Sequence, residues 1–319
     1  METIRGSPHH SEQDKDKRLA LTVIGSLMLA GGVAAALLGP LEIYCYYLFS
    51  PGGPFHYEGF AFGSFMFGNI TAQIAGYYLL AIILIPLGYG HLRRRRWIRP
   101  VALALLQAWL VVGAPLTLIA AFILAGTKEL FPLAAVLGLI LIVLVYPLLP
   151  ILLIRFYRSP QVQRILESRD GGPCRLDTLP GPLLTLSVLY LFLIIALHIL
   201  TLFNGIFPLF GRFLYGLPGI ALLDLTAACL ALITWGTLQR RLWAWWGALL
   251  LLGLLALSTI LSFCRSSYPA ILQGLAFPQA EIDFLSGIPL TGFHLALLAG
   301  ISPAITWIMA LLARRHFRN

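Results

Sequence analysis

Apolar residues run along the chain in eight long blocks, 19–41, 70–89, 100–125, 130–154, 182–203, 218–238, 243–263 and 288–313. Each is at least 20 residues long, and a charged side chain interrupts only one of them, at Asp224. About 20 residues at 1.5 Å each cross a ~30 Å hydrocarbon core, so the pattern predicts eight transmembrane helices. The fold class expected is all-α, a polytopic integral membrane protein. Composition agrees: 59% of the 319 residues are hydrophobic and 11% charged, against about 25% charged in a soluble domain. That leaves too little polar surface to cover a soluble fold, so lipid must be the solvent.

The net charge of +9 changes the picture only through its placement. With the N-terminus in the cytoplasm, Arg5, Lys15, Lys17, Arg18, Arg93, Arg94, Arg95, Arg96, Arg99, the arginines of the 155–175 connection, Arg240, Arg241, Arg314, Arg315 and Arg318 all fall inside. Only Lys128, Arg212 and Arg265 of the 22 basic residues fall outside. That is the positive-inside bias of an eight-span cell-membrane protein, of the bacterial inner-membrane type, with both termini cytoplasmic. Arg93–Arg96 and Arg240–Arg241 therefore read as topology and headgroup contacts. Nucleic acid is not an expected partner, because the run sits in a short turn without base-stacking aromatics; membrane lipids and partner membrane subunits are.

Gly90-His91-Leu92-Arg93-Arg94-Arg95-Arg96-Trp97 matches Gly236-Thr237-Leu238-Gln239-Arg240-Arg241-Leu242-Trp243 at five positions at an offset of 146. Phe131-Pro132-Leu133 likewise resembles Ile288-Pro289-Leu290. The expectation is a tandem 4+4 parallel repeat, its halves related by an axis along the membrane normal. The organisation reads as a disordered cytoplasmic tail (1–18), a first four-helix half (19–158), a cytoplasmic linker with a short amphipathic helix on the inner membrane surface (159–181) and a second half (182–319). In the linker, Ser159-Pro160 form a helix start, and Val162, Ile165 and Leu166 an apolar stripe.

The connection from Glu42 to Asn69 holds ten aromatic residues between Tyr44 and Phe67, split by Pro51-Gly52-Gly53-Pro54. It reads either as an interfacial loop or as an aromatic lid over a cavity for an apolar ligand. Gly59, Gly63 and Gly68 would allow close helix approach. Prolines 86, 115, 147, 150 and 303 should kink their spans and free carbonyls.

Titratable groups inside spans are the best functional pointers, since each costs about 2.5–3.5 kcal/mol on insertion scales. His198, Asp224 and His294 qualify, five or six residues from the outer ends of their blocks, roughly 8–9 Å deep. Glu42, His56 and Glu58 lie near the same level. In the plain reading His198 and Asp224 pair across adjacent helices and His294 finds a backbone carbonyl. In the sharper one the set forms an outward-facing ligand or ion site. No local ligand spacing supports a metal, and no cofactor is implied. Cys45 and Cys264 could form a disulfide on the outer side. No phosphate-binding loop, zinc-protease or nucleophile-elbow motif is present. The function expected is that of a small-solute or lipid-handling transporter, or a transporter subunit, without enzymatic activity. A scaffold without substrate is the alternative, and an intramembrane enzyme acting on lipid-linked substrates comes third.

Overall fold

The computed structural model describes residues 8–126, 132–168 and 175–318. Arg5, Lys128, Arg169, the expected stop at Asp170–Pro173 and Cys174 lie outside the described residues. The helices are α1 (Pro8–Phe49), α2 (Phe65–Arg93), α3 (Ile98–Gly126), α4 (Pro132–Val143), α5 (Leu149–Arg158), α6 (Pro160–Glu167), α7 (Gly181–Thr201), α8 (Gly216–Leu238), α9 (Leu242–Arg265), α10 (Tyr268–Gly274), α11 (Gln279–Ser286) and α12 (Gly292–Leu312). Eight segments are long and apolar enough to cross a membrane, with α4 and α5 forming one of them. The chain is therefore an all-α, multi-pass membrane-embedded protein. Residues 8–18 continue α1 rather than form an irregular tail.

Helices pair in sequence order: α1 lies along α2, α3 against α4 and α5, α7 along α8, and α9 along α12. α3 is the hub, touching α5, α7 and α12. Half of the apolar stretch of α7 is buried, against 11% of that of the span formed by α4 and α5, so α7 sits inside the bundle and that span at its edge. The α1–α2 crossing is tight because a Cβ on Gly88 would lie 2.6 Å from the Leu29 nitrogen; only hydrogen fits. The α9–α12 pair is held at membrane depth by indole donors: Trp245 Nε1 donates to the Ala310 carbonyl (2.8 Å) and Trp307 Nε1 to that of Leu249 (2.9 Å).

Proline chemistry explains the one break in a span. Pro147 has no N–H to donate back along the helix, and residues Leu144–Leu148 widen into a π-helical turn in which the Leu149 N–H reaches the Leu144 carbonyl. Pro86, Pro115 and Pro303 lie inside unbroken helices, as does Pro40.

The termini and the basic turns gather at one end, here the terminal end. The Arg318 N–H donates to the Arg240 carbonyl and the Leu242 N–H to that of Arg318 (2.7 and 3.0 Å), while the Arg240 guanidinium donates to the Thr178 carbonyl. α6 forms with Ser159 as its cap, yet Val162, Ile165 and Leu166 are buried with Leu21, Ile98 and Tyr157, so its apolar stripe faces protein and not lipid. Beneath it, His91 Nδ1 donates to the Leu87 carbonyl and Nε2 accepts from the Tyr157 hydroxyl, both at 2.6 Å, with both side chains fully buried.

The opposite, distal end carries a cap made of the 50–64 loop, a hairpin of β1 (Phe207–Leu209) and β2 (Arg212–Leu214), and α10–α11. Phe210 and Gly211 turn the hairpin with φ of 43° and 97°, the positive-φ pair that a two-residue hairpin turn requires. Their N–H groups donate to Ser258 Oγ and Ser262 Oγ of α9 (both 2.9 Å), and Ser258 Oγ donates to the Pro208 carbonyl (2.8 Å). Backbone that leaves regular structure next to the spans is thus satisfied by two hydroxyls one helical turn apart.

Candidate functional site

Below the hairpin, α3, α7, α9 and α12 do not close on one another. They enclose a chamber of about 530 Å³, within the range of small-molecule sites. Ile206 and Pro208 of the hairpin region roof it on the distal side together with Phe263, and Phe192, Leu193, Ala196 and Leu197 of α7 form one wall. Every lining residue is uncharged, and the only side-chain polar atoms are the hydroxyls of Thr259 and Ser302. Leu116 on α3 and Phe192 on α7 remain 38% and 37% exposed, so the wall they share is incompletely covered by protein.

Two of the in-span prolines help to make this space. Pro115 and Pro303 both line the chamber. Pro115 cannot donate to the carbonyl one turn back, that of Val111, and Ser302 Oγ supplies a donor to it instead at 3.4 Å. Pro303 in the same way withholds a donor from the carbonyl of Ala299, itself a lining residue. Thr259 differs from most of the helical threonines, though Thr71 and Thr237 also lack a partner among the described residues. Thr117, Thr226, Thr234 and Thr306 each donate to a carbonyl one turn back in their own helix. The Thr259 hydroxyl, on a residue only 5% exposed, makes no hydrogen bond among the described residues.

The distal cap is locked to α2 by a residue that sequence reasoning passed over. Glu281 of α11 is 8% exposed, and its carboxylate accepts from the N–H groups of Phe65 (2.8 Å) and Met66 (3.1 Å) at the start of α2. Those are orphan donors at the positive end of a helix, where an anion is favoured. Ser64 Oγ takes the Phe67 N–H. Around this latch the aromatic loop is a compact cap: Tyr46, Phe60 and Phe67 pack edge to face or tilted within 4.9–5.8 Å, and Phe65 meets Phe203 and Phe277. Gly68 lies against the Phe203 ring and Gly63 against Asn204. Burial first, and then the charge of Glu281, push the Tyr57 phenol above its ordinary value; burial does the same for Tyr215 and Tyr268.

The residues singled out from sequence are dispersed. His198 is exposed, and its Nδ1 donates to the Ile194 carbonyl of its own helix (2.7 Å) rather than to Asp224. Asp224 is exposed and makes no hydrogen bond or ion pair among the described residues. His294 does not take a carbonyl: its Nδ1 accepts from the Thr291 N–H (3.2 Å) in a capping box, and its ring stacks on Phe122 at 4.8 Å. The shared depth dissolves because helix starts and stops differ from the apolar blocks. Thr291 caps α12 three residues inside its block, and α8 begins at Gly216. Counted from the helix ends, His198, Asp224 and His294 lie about 5, 12 and 3 Å deep. Glu42 is half-buried on α1, and His56 and Glu58 are exposed in the distal loop. None of the six lines the chamber, and no three His, Cys, Asp or Glu among the described residues could hold a metal ion. Cys45 and Cys264 are free thiols: α1 packs chiefly on α2 and α9 on α12, which keeps the two apart in the bundle.

At the terminal end Arg93 lies 5.6 Å over the Tyr89 ring and Arg96 is 3.8 Å from Glu167. Arg95 and Arg241 are exposed. Thr259 could have been suspected from sequence, since Ser258-Thr259 and Ser262 place three hydroxyls in one turn of an otherwise apolar span. No family model, curated protein or solved structure matches this chain.

Proposed function

We propose that the protein is a lipid-handling membrane protein of the transporter class, which takes a lipid-like molecule from the bilayer into the distal chamber and binds or passes it on without chemistry. One observation carries this reading: a chamber of about 530 Å³ at membrane depth whose wall is apolar and uncharged. A small polar solute would lose its water there and gain almost nothing in return, whereas a hydrocarbon chain meets a matched surface. In this reading the terminal end is cytoplasmic, by the arginine bias, and the chamber lies in the outer leaflet of a cell membrane.

The halves are read as a duplicated 4+4 scaffold. The support is a pair of matching turns at the terminal end: Arg95 N–H to Gly90 O and Arg94 N–H to His91 O in one, Arg241 N–H to Gly236 O and Arg240 N–H to Thr237 O in the other. The test of function is occupancy. Ala196→Trp, which fills the chamber from α7, should strip bound lipid from the purified chain in native mass spectrometry while the folded yield holds. Unchanged lipid retention would refute the reading.

A second role, as a subunit of a larger membrane assembly, is favoured by Asp224. An exposed, unpartnered carboxylate about 12 Å inside a span costs a few kcal/mol in lipid, and a basic or polar residue on a neighbouring subunit would relieve that cost. Asp224→Leu should then reduce the particle size in mild detergent; no change in size counts against it.

A further inference from the structure

We infer that the occupant of the chamber is an uncharged lipid, one neutral oxygen of whose polar end, a hydroxyl or carbonyl, is held at Thr259. This rests on the lipid-handling reading above and adds the chemical class of the ligand. Three observations lead to it. First, no titratable side chain among the described residues lines the chamber. A phosphate drawn into such surroundings would lose its hydration and find no cation, a cost far beyond what one hydroxyl returns. A charged headgroup is therefore excluded from the interior, though not from the membrane surface outside.

Second, the Thr259 hydroxyl is a polar group without a partner in a place where partners are normally found. A helical threonine commonly donates to a carbonyl one turn back, as Thr226 and Thr306 do here at 2.7 Å. Thr259 makes no such bond among the described residues, although its residue is 95% buried and lines the chamber. A hydroxyl left without a hydrogen bond against an apolar chamber costs about 1–3 kcal/mol, and a ligand oxygen supplies what the protein does not.

Third, geometry sets the placement. Thr259 lies six residues from the end of α9 at Arg265, about 9 Å below the distal surface. The apolar remainder, Val112, Leu193, Leu255 and Pro303, belongs to the helices around it. Diacylglycerols, long-chain alcohols and isoprenoid alcohols share this chemistry: one small neutral oxygen cluster at one end and hydrocarbon at the other. The Ala299 carbonyl, denied its donor by Pro303, is a second acceptor on the same wall for a ligand hydroxyl.

The experiment uses the full chain in lipid nanodiscs with three diazirine probes of equal chain length: a diacylglycerol, a phosphatidylglycerol and a plain alkane. The diacylglycerol should label peptides of α7, α9 and α12 at least several-fold more strongly than either of the others. Thr259→Val should reduce its advantage over the alkane about 2–10-fold, the worth of one neutral hydrogen bond, and Thr259→Ser should keep it. Labelling by the phosphatidylglycerol equal to that by the diacylglycerol, or a Thr259→Val chain that labels like the parent, overturns the neutral-lipid assignment while leaving the chamber as a lipid site. Absence of chamber labelling by all three probes, with Ala196→Trp making no difference, removes the lipid-handling reading as well.

Discussion

Arg94 and Arg240 stand 146 residues apart and adopt the same left-handed backbone, with φ of 53° and 59°. Each occupies the position after a span where glycine is the usual choice, and each, together with the arginine that follows it, closes the same two hydrogen bonds back into its helix. The turn is compact enough that Trp243 packs on Gly236 and Trp97 on Gly90. A Cβ on Gly236 would lie 2.5 Å from the Trp243 ring and 2.7 Å from the Ala244 Cβ. Replacing Gly by Ala in a helix ordinarily gains about 0.5–1 kcal/mol, but overpacking of this kind costs about 1–3 kcal/mol. Gly236→Ala should therefore lower the thermal midpoint in detergent. Gly76→Ala, where a Cβ meets nothing within 4 Å, should raise it.

Glu281 joins the distal cap to α2 through two backbone donors. Glu281→Ala leaves both N–H groups without their acceptor, at about 1–3 kcal/mol each. Hydrogen exchange at Phe65 and Met66 should accelerate while that of α9 stays as it is. Glu281→Gln keeps an acceptor oxygen and should fall between.

His91 and Tyr157 tie α2 to α5 in a fully buried bond at 2.6 Å. Tyr157→Phe removes the donor and strands His91 Nε2, so a loss of about 1–3 kcal/mol is expected. His91→Leu alone should be costly, but the double variant should cost less than the two singles added together. A double-mutant cycle in detergent unfolding reads that coupling directly.

Tyr57, Tyr215 and Tyr268 in the cap are held above the ordinary tyrosine value of about 10, mainly by burial. The folded state thus binds the phenolic proton more tightly than the unfolded one. That stability is complete below about pH 10 and is lost as pH rises through the folded values. A phenolate absorbance titration should show these three ionising above the ordinary tyrosine range, with the cap loosening in the same alkaline range. If the three ionise at the ordinary value with the cap intact, the burial argument fails.

Bulk transfer energy made the spans legible. A run of 20 apolar residues has one low-energy place to be, and the eight blocks became eight membrane-crossing segments. Pro115 and Pro303 also pointed to real features, since a missing N–H is a covalent fact that tertiary packing can only accommodate. The common depth of the polar set was misjudged because its argument assumed that helices end where hydrophobicity ends; Thr291 instead caps α12 beyond Pro289, and His294 joins that cap. Glu281 was invisible for the opposite reason, and Thr259 showed only as one of three hydroxyls in a turn. A glutamate in an outer connection and a threonine in a span are ordinary residues by composition, and their meaning comes from the helix terminus one meets and the hydrogen bond the other lacks.

The hairpin pinned by Ser258 and Ser262 gives the chamber a fixed ceiling on its aqueous side. On the proposed lipid-handling reading, a ligand then travels within the plane of the bilayer and passes between helices, never through bulk water. Its effective concentration is a mole fraction in the membrane, so occupancy should track how rich the surrounding leaflet is in that lipid and be indifferent to how dilute the vesicles are.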